Sequence, residues 1–202
     1  MLSAVVVAAG LSLRMENKNK LLLPYRNKTI VEITVGQVLS AGIEDIVVVT
    51  GRDGDQVQAL LEHLPLRLVH NPEFAAGLTG SIQKGITVAR GNGYMICLAD
   101  MVMVTPAEYG LLAEYFTRQR AFDPKCICLP VHEGQKGNPV VFSSWYKTAI
   151  AGHTHPEGCR DIVQAHADHV YRVDMPSPHI LQDIDSPDDY PVAALTGNGL
   201  QQ

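Results

Sequence analysis

The first residues able to do chemistry follow the apolar run at the start of the chain. Residues 4–8 are apolar and lead into Gly10, and Ser12, Arg14 and Lys20 follow soon after. A tight turn of small residues lets backbone N–H groups approach phosphate oxygens, and the two cations supply positive charge. The segment has neither the Walker A pattern nor the dinucleotide-binding glycine pattern. Taken alone, it is equally typical of a glycine turn followed by solvated cations.

A second set of candidates consists of aspartates that follow apolar stretches. Asp100 comes directly after residues 94–99, and Asp183 and Asp185 come at the end of a late apolar stretch. Residues two apart in a strand point the same way, so either late aspartate is able to meet Asp100. Two carboxylates at different strand ends form a natural Mg²⁺ site, because Mg²⁺ takes one or two protein oxygens plus phosphates and water. Each aspartate alone is better interpreted as a helix cap or turn former.

The elements that must position these residues alternate between strand-like and helix-like segments. Capping boxes at Thr29–Glu32 and Thr105–Glu108 each predict a helix start, and further helices are predicted around 57–64, after Gly77–Ser81 and after Gly158. The predicted strands are 4–8, 46–50, 67–70, 94–99, 126–131, 139–142, 169–173 and 180–183. This alternation predicts an α/β protein of three α/β/α layers with a mostly parallel, Rossmann-like sheet. Ligands bind such sheets beyond the carboxyl ends of the strands, where the candidate residues lie.

Length and composition bound the possible classes of protein. The chain has 202 residues, enough for one domain, which we predict to span 1–195 with a flexible tail at 196–202. It is 46% hydrophobic and 18% charged, as in an ordinary globular protein. The net charge of −5 argues against broad nucleic-acid binding, and no apolar run reaches membrane length. We therefore expect a cytoplasmic protein that engages neither nucleic acid nor membrane.

Several short motifs are distributed along nearly the whole chain. The opening reads A-A-G-L-S-x-R-M and is followed by N-K-L-L-L-P. Asn71-Pro, Gly77-Leu-Thr-Gly-Ser81, Lys136-Gly-Asn-Pro-Val-Val-Phe142 and Asp183-Ile-Asp-Ser-Pro-Asp-Asp-Tyr190 follow. With these motifs the chain resembles the nucleotidyltransferase family that builds molybdenum cofactor dinucleotides, the molybdenum cofactor cytidylyltransferases and the molybdopterin-guanine dinucleotide synthases.

The resemblance implies a role for each candidate. The loop would hold a nucleoside triphosphate, Asp100 and Asp185 would bind Mg²⁺, and Lys20 would stabilise the transition state, with Arg14 also on the phosphate oxygens. The implied nucleotide-binding residues are Ala8, Ala9, Gly10, Ser12, Arg14, Lys20, Asn71, Gly77, Thr79 and Ser81.

The resemblance also implies the substrates. The phosphate of a molybdopterin-type acceptor would attack the α-phosphorus of the triphosphate and expel pyrophosphate, and a molybdoenzyme would be a further partner. The A-A-G opening resembles the cytidylyl enzymes, whereas the guanylyl enzymes usually have glycine in place of Ala9. A methyl group there would narrow the space for a purine, so CTP is favoured over GTP.

Two departures from the family pattern leave alternatives for the acceptor. Met101-Val102 stands where the family commonly has Gln-Pro, and Lys136-Gly-Asn-Pro139 replaces a more usual Arg-Gly-His-Pro. One alternative is transfer to a sugar phosphate or a methylerythritol-type phosphate. Another is a nucleotide-binding accessory protein without catalysis, although two metal carboxylates exceed what nucleotide binding alone needs.

Overall fold

A mixed, mostly parallel β-sheet forms the middle layer of the computed structural model, which describes residues 1–12 and 18–185. The strands are β1 Ser3–Ala8, β2 Pro24–Tyr25, β3 Lys28–Thr29, β4 Asp45–Thr50, β5 Arg67–His70, β6 Gly93–Leu98, β7 Ile127–His132, β8 Gln135–Lys136, β9 Val140–Ser143 and β10 Val170–Asp174. The strand order is β10-β7-β9-β6-β1-β4-β5, with β8 paired to β7 and with β2 and β3 in a separate ribbon. β9 runs antiparallel to β6 and β7.

Helices cover both faces of this sheet, which confirms the predicted three-layer α/β/α architecture. The helices are α1 Ile30–Ser40, α2 Gly54–Leu61, α3 Leu78–Val88, α4 Pro106–Phe122, α5 Lys147–Ala151 and α6 Arg160–Ala165. Ala4 and Val6 of β1 pack with α1, α2 and α4, whereas Val5 and Val7 face α3, α5 and α6. Such alternation is expected of a strand buried on both faces.

Both predicted capping boxes are present at helix starts. The Thr29 side chain accepts from Glu32 N while Glu32 accepts from Thr29 N, and Thr105 and Glu108 repeat this arrangement before α4. The predicted helix near 57–64 lies three residues earlier, over Gly54–Leu61. The chain has no membrane-length apolar helix within the described ranges. Arg14 and the predicted tail at 196–202 lie outside those ranges.

The predicted strand at 180–183 is wrong. Residues Pro178–Leu181 form a 3-10 helix, because Pro178 fixes the first helical position and the Ser177 side chain accepts from His179 N. Within the predicted strand, Ile180 is buried in the core and Leu181 packs partly against it. We call residues 175–185 the strap, because they run from the end of β10 back to Asp100, where Ile184 N donates to the Asp100 carbonyl oxygen over 3.2 Å.

The parallel strands bring several chain segments to one edge of the sheet. β4 and β6 pair parallel to β1, and β5 pairs parallel to β4. The residues that follow these strands, including Gly10, Arg52, Asn71 and Asp100, therefore lie along the same carboxyl edge.

Candidate active site

Lys20 lies between two carboxylates at this edge. Its Nζ is 2.6 Å from Asp100 Oδ2 and 2.6 Å from Asp185 Oδ1, and the lysine side chain is only 10% exposed. Burial by itself lowers the pKa of Lys20, but the charges of Asp100 and Asp185 and the hydrogen bonds to them outweigh burial, and the net pKa is raised. The lysine is therefore charged at neutral pH and joins the end of β6 to the strap.

Local hydrogen bonds place Lys20 there. It begins the 3-10 helix Lys20–Leu22, whose first turn is capped by the Asn19 side chain accepting from Leu21 N. Lys20 N donates to Ser12 Oγ over 3.1 Å, and Asn19 Nδ2 donates to Arg52 O over 3.0 Å. The predicted loop residue Ser12 thus contacts the backbone of the predicted lysine.

Asp183 joins Asp100 and Asp185, so both late aspartates reach the end of β6. One oxygen from each of the three carboxylates lies within 4.8 Å of the others. Partial desolvation raises the pKa of Asp183, and the negative charges of Asp100 and Asp185 raise it further. Asp100 Oδ1 is buried and has no hydrogen-bond partner among the described residues.

This oxygen-only donor set fits Mg²⁺, which prefers carboxylates combined with substrate phosphates and water. Asp100 contributes the buried oxygen that lacks a partner in the described chain, and Asp185 contributes a carboxylate from the strap. The residues present are therefore able to hold the predicted cation.

The glycine loop offers its backbone to open space. Among the described residues, a β-carbon at Gly10 would meet nothing within 4 Å, and Gly10, Leu11 and Ser12 line the same cavity as Lys20 and Asp100. The Arg52 guanidinium donates to Leu11 O over 2.8 Å and holds the loop from the end of β4. Arg52 thus holds the loop on the side of β4, while Gly10, Leu11 and Ser12 line the cavity. This arrangement suits anion binding by backbone N–H groups.

Ala9 belongs to a packed corner beside this loop. Ala8 and Ala9 are 1% and 4% exposed. A β-carbon at Gly51 would lie 2.8 Å from Ala9 Cβ and 2.7 Å from Phe74 Cβ. Ala9 and Phe74 therefore both pack closely against Gly51.

Hydrogen bonds to residues far along the chain hold the amino end of α3. Leu78 N donates to Pro156 O over 2.9 Å, and Thr79 Oγ1 accepts from Gly158 N over 3.0 Å. Gly77, with φ of 122°, has its Cβ position filled by Pro156. The buried side chains of Asn71 and Ser81 bond each other over 3.0 Å. Asn71, Gly77, Thr79 and Ser81 were all predicted to bind nucleotide, and they lie together. The side chains of Asn71, Thr79 and Ser81 already have hydrogen-bond partners within the protein.

A second cavity adjoins the first. Leu78 and Leu98 line both cavities. The second has an apolar floor that includes Ile82 and Phe142, and polar groups that include Lys136, Asn138 and Arg160. The motif at 136–142 supplies part of this wall, and α6 supplies Arg160.

Comparison with known proteins identifies the family. The family model described as a MobA-like NTP transferase domain matches residues 4–170. This chain belongs to that family. The family assignment confirms the resemblance inferred from the motifs and makes the protein a nucleotidyltransferase.

Two curated relatives show the range of the family. The chain is 26% identical to the molybdenum cofactor cytidylyltransferase of Escherichia coli (strain K12), over 94% of this chain and 93% of that protein. It is 27% identical to the nicotine blue oxidoreductase of Paenarthrobacter nicotinovorans, over 74% of each chain. Proteins similar to this chain therefore differ in their named activity.

Solved structures match the fold over nearly the whole chain. A nucleotidyl transferase from Methanothermobacter thermautotroptrophicus has a TM-score of 0.80 and 27% identity, covering 94% of both chains. A Mycobacterium tuberculosis H37Rv protein solved in complex with manganese has a TM-score of 0.72 at 22% identity, covering 96% of this chain and 98% of its own.

Removing either metal carboxylate should abolish turnover and leave the fold intact. We expect Asp100→Ala and Asp185→Ala to weaken Mn²⁺ binding measured by electron paramagnetic resonance, because each removes an oxygen ligand. Asp168→Ala, at an exposed position, is the matched control. Mn²⁺ binding unchanged in both variants would contradict the assignment.

Replacing Lys20 with methionine keeps most of the aliphatic stem and removes the charge. We expect Lys20→Met to lower kcat by about 100-fold or more, as loss of a transition-state stabiliser does. Lys18→Met, at an exposed position nearby, should leave kcat unchanged. A weaker KM with unchanged kcat would instead make Lys20 a ground-state contact.

Proposed function

We propose that this enzyme transfers the cytidylyl group of CTP to the phosphate of a molybdopterin-type acceptor, with Mg²⁺ and with release of pyrophosphate. One observation carries the proposal: the cavity with Lys20 and Asp100 meets a second cavity across Leu78 and Leu98. Two adjoining cavities, one beside an open glycine loop and one with an apolar floor and cationic groups, suit two anionic substrates that react with each other.

The proposed reaction is a single displacement at phosphorus. An oxygen of the acceptor phosphate forms a bond to the α-phosphorus as the bond from that phosphorus to the bridging oxygen breaks, and pyrophosphate leaves with that electron pair. Little covalent work is left to the protein, which aligns two anions and balances their charge.

The residues divide this work. Backbone N–H groups around Gly10 and Ser12 bind the triphosphate, and Lys20 moves its charge from Asp100 and Asp185 towards the phosphates as they enter. Asp100 and Asp185 would hold Mg²⁺, which when bound supplies positive charge to the triphosphate oxygens. Arg14, outside the described residues, would add a second cation.

The second cavity suits a fused-ring acceptor. Ile82, Phe142 and neighbouring apolar residues offer a floor for ring faces, while Lys136 and Arg160 offer charge for its phosphate. The relative from Escherichia coli is named for the molybdenum cofactor, which supports this choice of acceptor.

Arg160 lines the second cavity, so its replacement tests acceptor binding separately from nucleotide binding. We expect Arg160→Met to raise KM for the acceptor by about tenfold or more and to leave KM for CTP unchanged, measured by pyrophosphate release. Arg118→Met, at an exposed ion pair on α4, is the control. A change confined to KM for CTP would contradict the acceptor assignment.

A matrix of nucleoside triphosphates against phosphorylated acceptors tests the function itself. We expect pyrophosphate release with CTP and molybdopterin, and none with a sugar phosphate or methylerythritol phosphate. We expect kcat/KM with CTP to exceed kcat/KM with GTP roughly ten- to a hundredfold, because a clash between the Ala9 methyl group and a purine base would cost about 1–3 kcal/mol. Triphosphate binding without turnover on any acceptor would favour the accessory-protein alternative.

Ala9→Gly belongs to the same test. Ala9 directly precedes the glycine loop, and the guanylyl enzymes of the family usually have glycine there, so we expect the variant to relax selectivity towards GTP and to retain CTP turnover. Gly10→Ala is the comparison, because a methyl group on the open loop should affect both triphosphates alike. Equal or greater guanylyl product from the unmodified enzyme would show that Ala9 does not select the base.

A further inference from the structure

The strap carries Asp183 and Asp185 and is held at several points along its length. Backbone bonds run from Met175 N to Val131 O over 2.8 Å and from Asn138 N to Ile180 O over 3.0 Å. A third runs from Ile184 N to Asp100 O. A β-carbon at Gly137 would overlap the Ile180 carbonyl group, so the strap lies directly on the 136–138 segment.

A buried carboxylate supplies a side-chain anchor between these points. Glu108 is 3% exposed. Ser177 Oγ donates to its Oε1 over 2.5 Å, and His179 Nδ1 lies 3.0 Å from its Oε2. Thr105 N and Thr105 Oγ1 donate to the same Oε2, each over 2.8 Å. Burial alone raises the pKa of Glu108, but these hydrogen bonds outweigh burial and the net pKa is lowered.

The capping box of α4 explains only part of this arrangement. Glu32 has the equivalent box before α1 and accepts from Thr29 N over 2.9 Å and Thr29 Oγ1 over 2.7 Å. In the described part of the chain its hydrogen bonds end within that box, and its side chain is partly exposed. Glu108 does the same work and in addition binds two residues of the strap.

Glu108 therefore connects the loop that follows Asp100 to the strap that carries Asp185. Thr105 begins α4 at the end of the short loop that follows Asp100, whose residues Met101, Val102 and Val104 are buried. Ser177 and His179 begin the turn that leads to Asp183 and Asp185. A single side chain thus fixes the loop after Asp100 relative to the strap.

We propose that Glu108 is a positioning residue that holds the strap, through Ser177 and His179, at the place where Asp183 and Asp185 meet Asp100. The inference rests on the proposed metal role of these aspartates. Glu108 contacts none of them directly, and its effect on the cation is transmitted through the strap.

The test compares the two capping-box glutamates. Glu108→Ala should weaken Mn²⁺ binding about tenfold or more, as loss of a group that orients metal ligands does, measured by electron paramagnetic resonance of free Mn²⁺. Glu32→Ala loses the equivalent capping box before α1, but should leave the Mn²⁺ Kd unchanged. Ser177→Ala and His179→Ala break the contact from the strap side and leave the box of α4 intact, so they should weaken Mn²⁺ binding even if Glu108→Ala folds poorly.

Hydrogen exchange of the Ile184 and Asn138 amides provides a readout without metal. We expect faster exchange at both amides in Glu108→Ala and Ser177→Ala, and unchanged exchange in Glu32→Ala. Unchanged exchange in both strap variants, or equal loss of Mn²⁺ affinity in Glu32→Ala and Glu108→Ala, would overturn the inference. If the unmodified protein binds no Mn²⁺ at Asp100 and Asp185, the proposed metal site is wrong, and the exchange measurement still decides whether Glu108 holds the strap.

Discussion

The ion pairs of Lys20 with Asp100 and Asp185 are the interaction on which the arrangement of this site depends. They join three distant parts of the chain: the loop after β1, the end of β6 and the strap. With Asp183 included, three aspartates lie around one lysine. Burial raises the pKa of Asp183, and the negative charges of Asp100 and Asp185 raise it further. Under the proposed function, a divalent cation carried by a triphosphate would add positive charge among these carboxylates and free the lysine for the phosphates.

The rest of the fold makes this concentration of charge possible. Parallel strands place Gly10 and Asp100 at one edge through local geometry alone, since both residues directly follow central strands. Asp185 reaches the same edge because the chain reverses over the sheet after β10 and is held there by the loop after Asp100, by the 136–138 segment and by Glu108. Several contacts along the strap, rather than a single one, bring the carboxylates together.

This division explains how far the sequence predicted the structure. Lys20, Asp100 and the two capping boxes gave local signals, a glycine turn, a strand end and a threonine–glutamate spacing; the structure brings Lys20 and Asp100 into contact and forms both capping boxes. Residues 180–183 of the strap were predicted as a strand because Ile180 and Leu181 are apolar, and only tertiary contacts show that Ile180 is buried from a 3-10 turn. The second role of Glu108 had no signal of its own, because the capping box already accounted for a glutamate at that position. The protein partners of Thr79 also come from residues far along the chain.

The two cavities differ in what builds them, and this bears on how the family varies. The first is built by the loop after β1, the end of β6 and the strap, which depend on one another through Lys20 and Glu108. The second is lined by α6, the 136–138 segment and the apolar ends of central strands, and among the described residues the two cavities share Leu78 and Leu98. The 136–138 segment also holds the strap, so of the cationic residues in the second cavity it is Arg160, on α6, whose substitution is expected to change that cavity without disturbing the carboxylates. Under the proposed function, relatives with the same fold and different named activities are expected, because α6 residues that would recognise the partner of the nucleotide lie apart from the carboxylates.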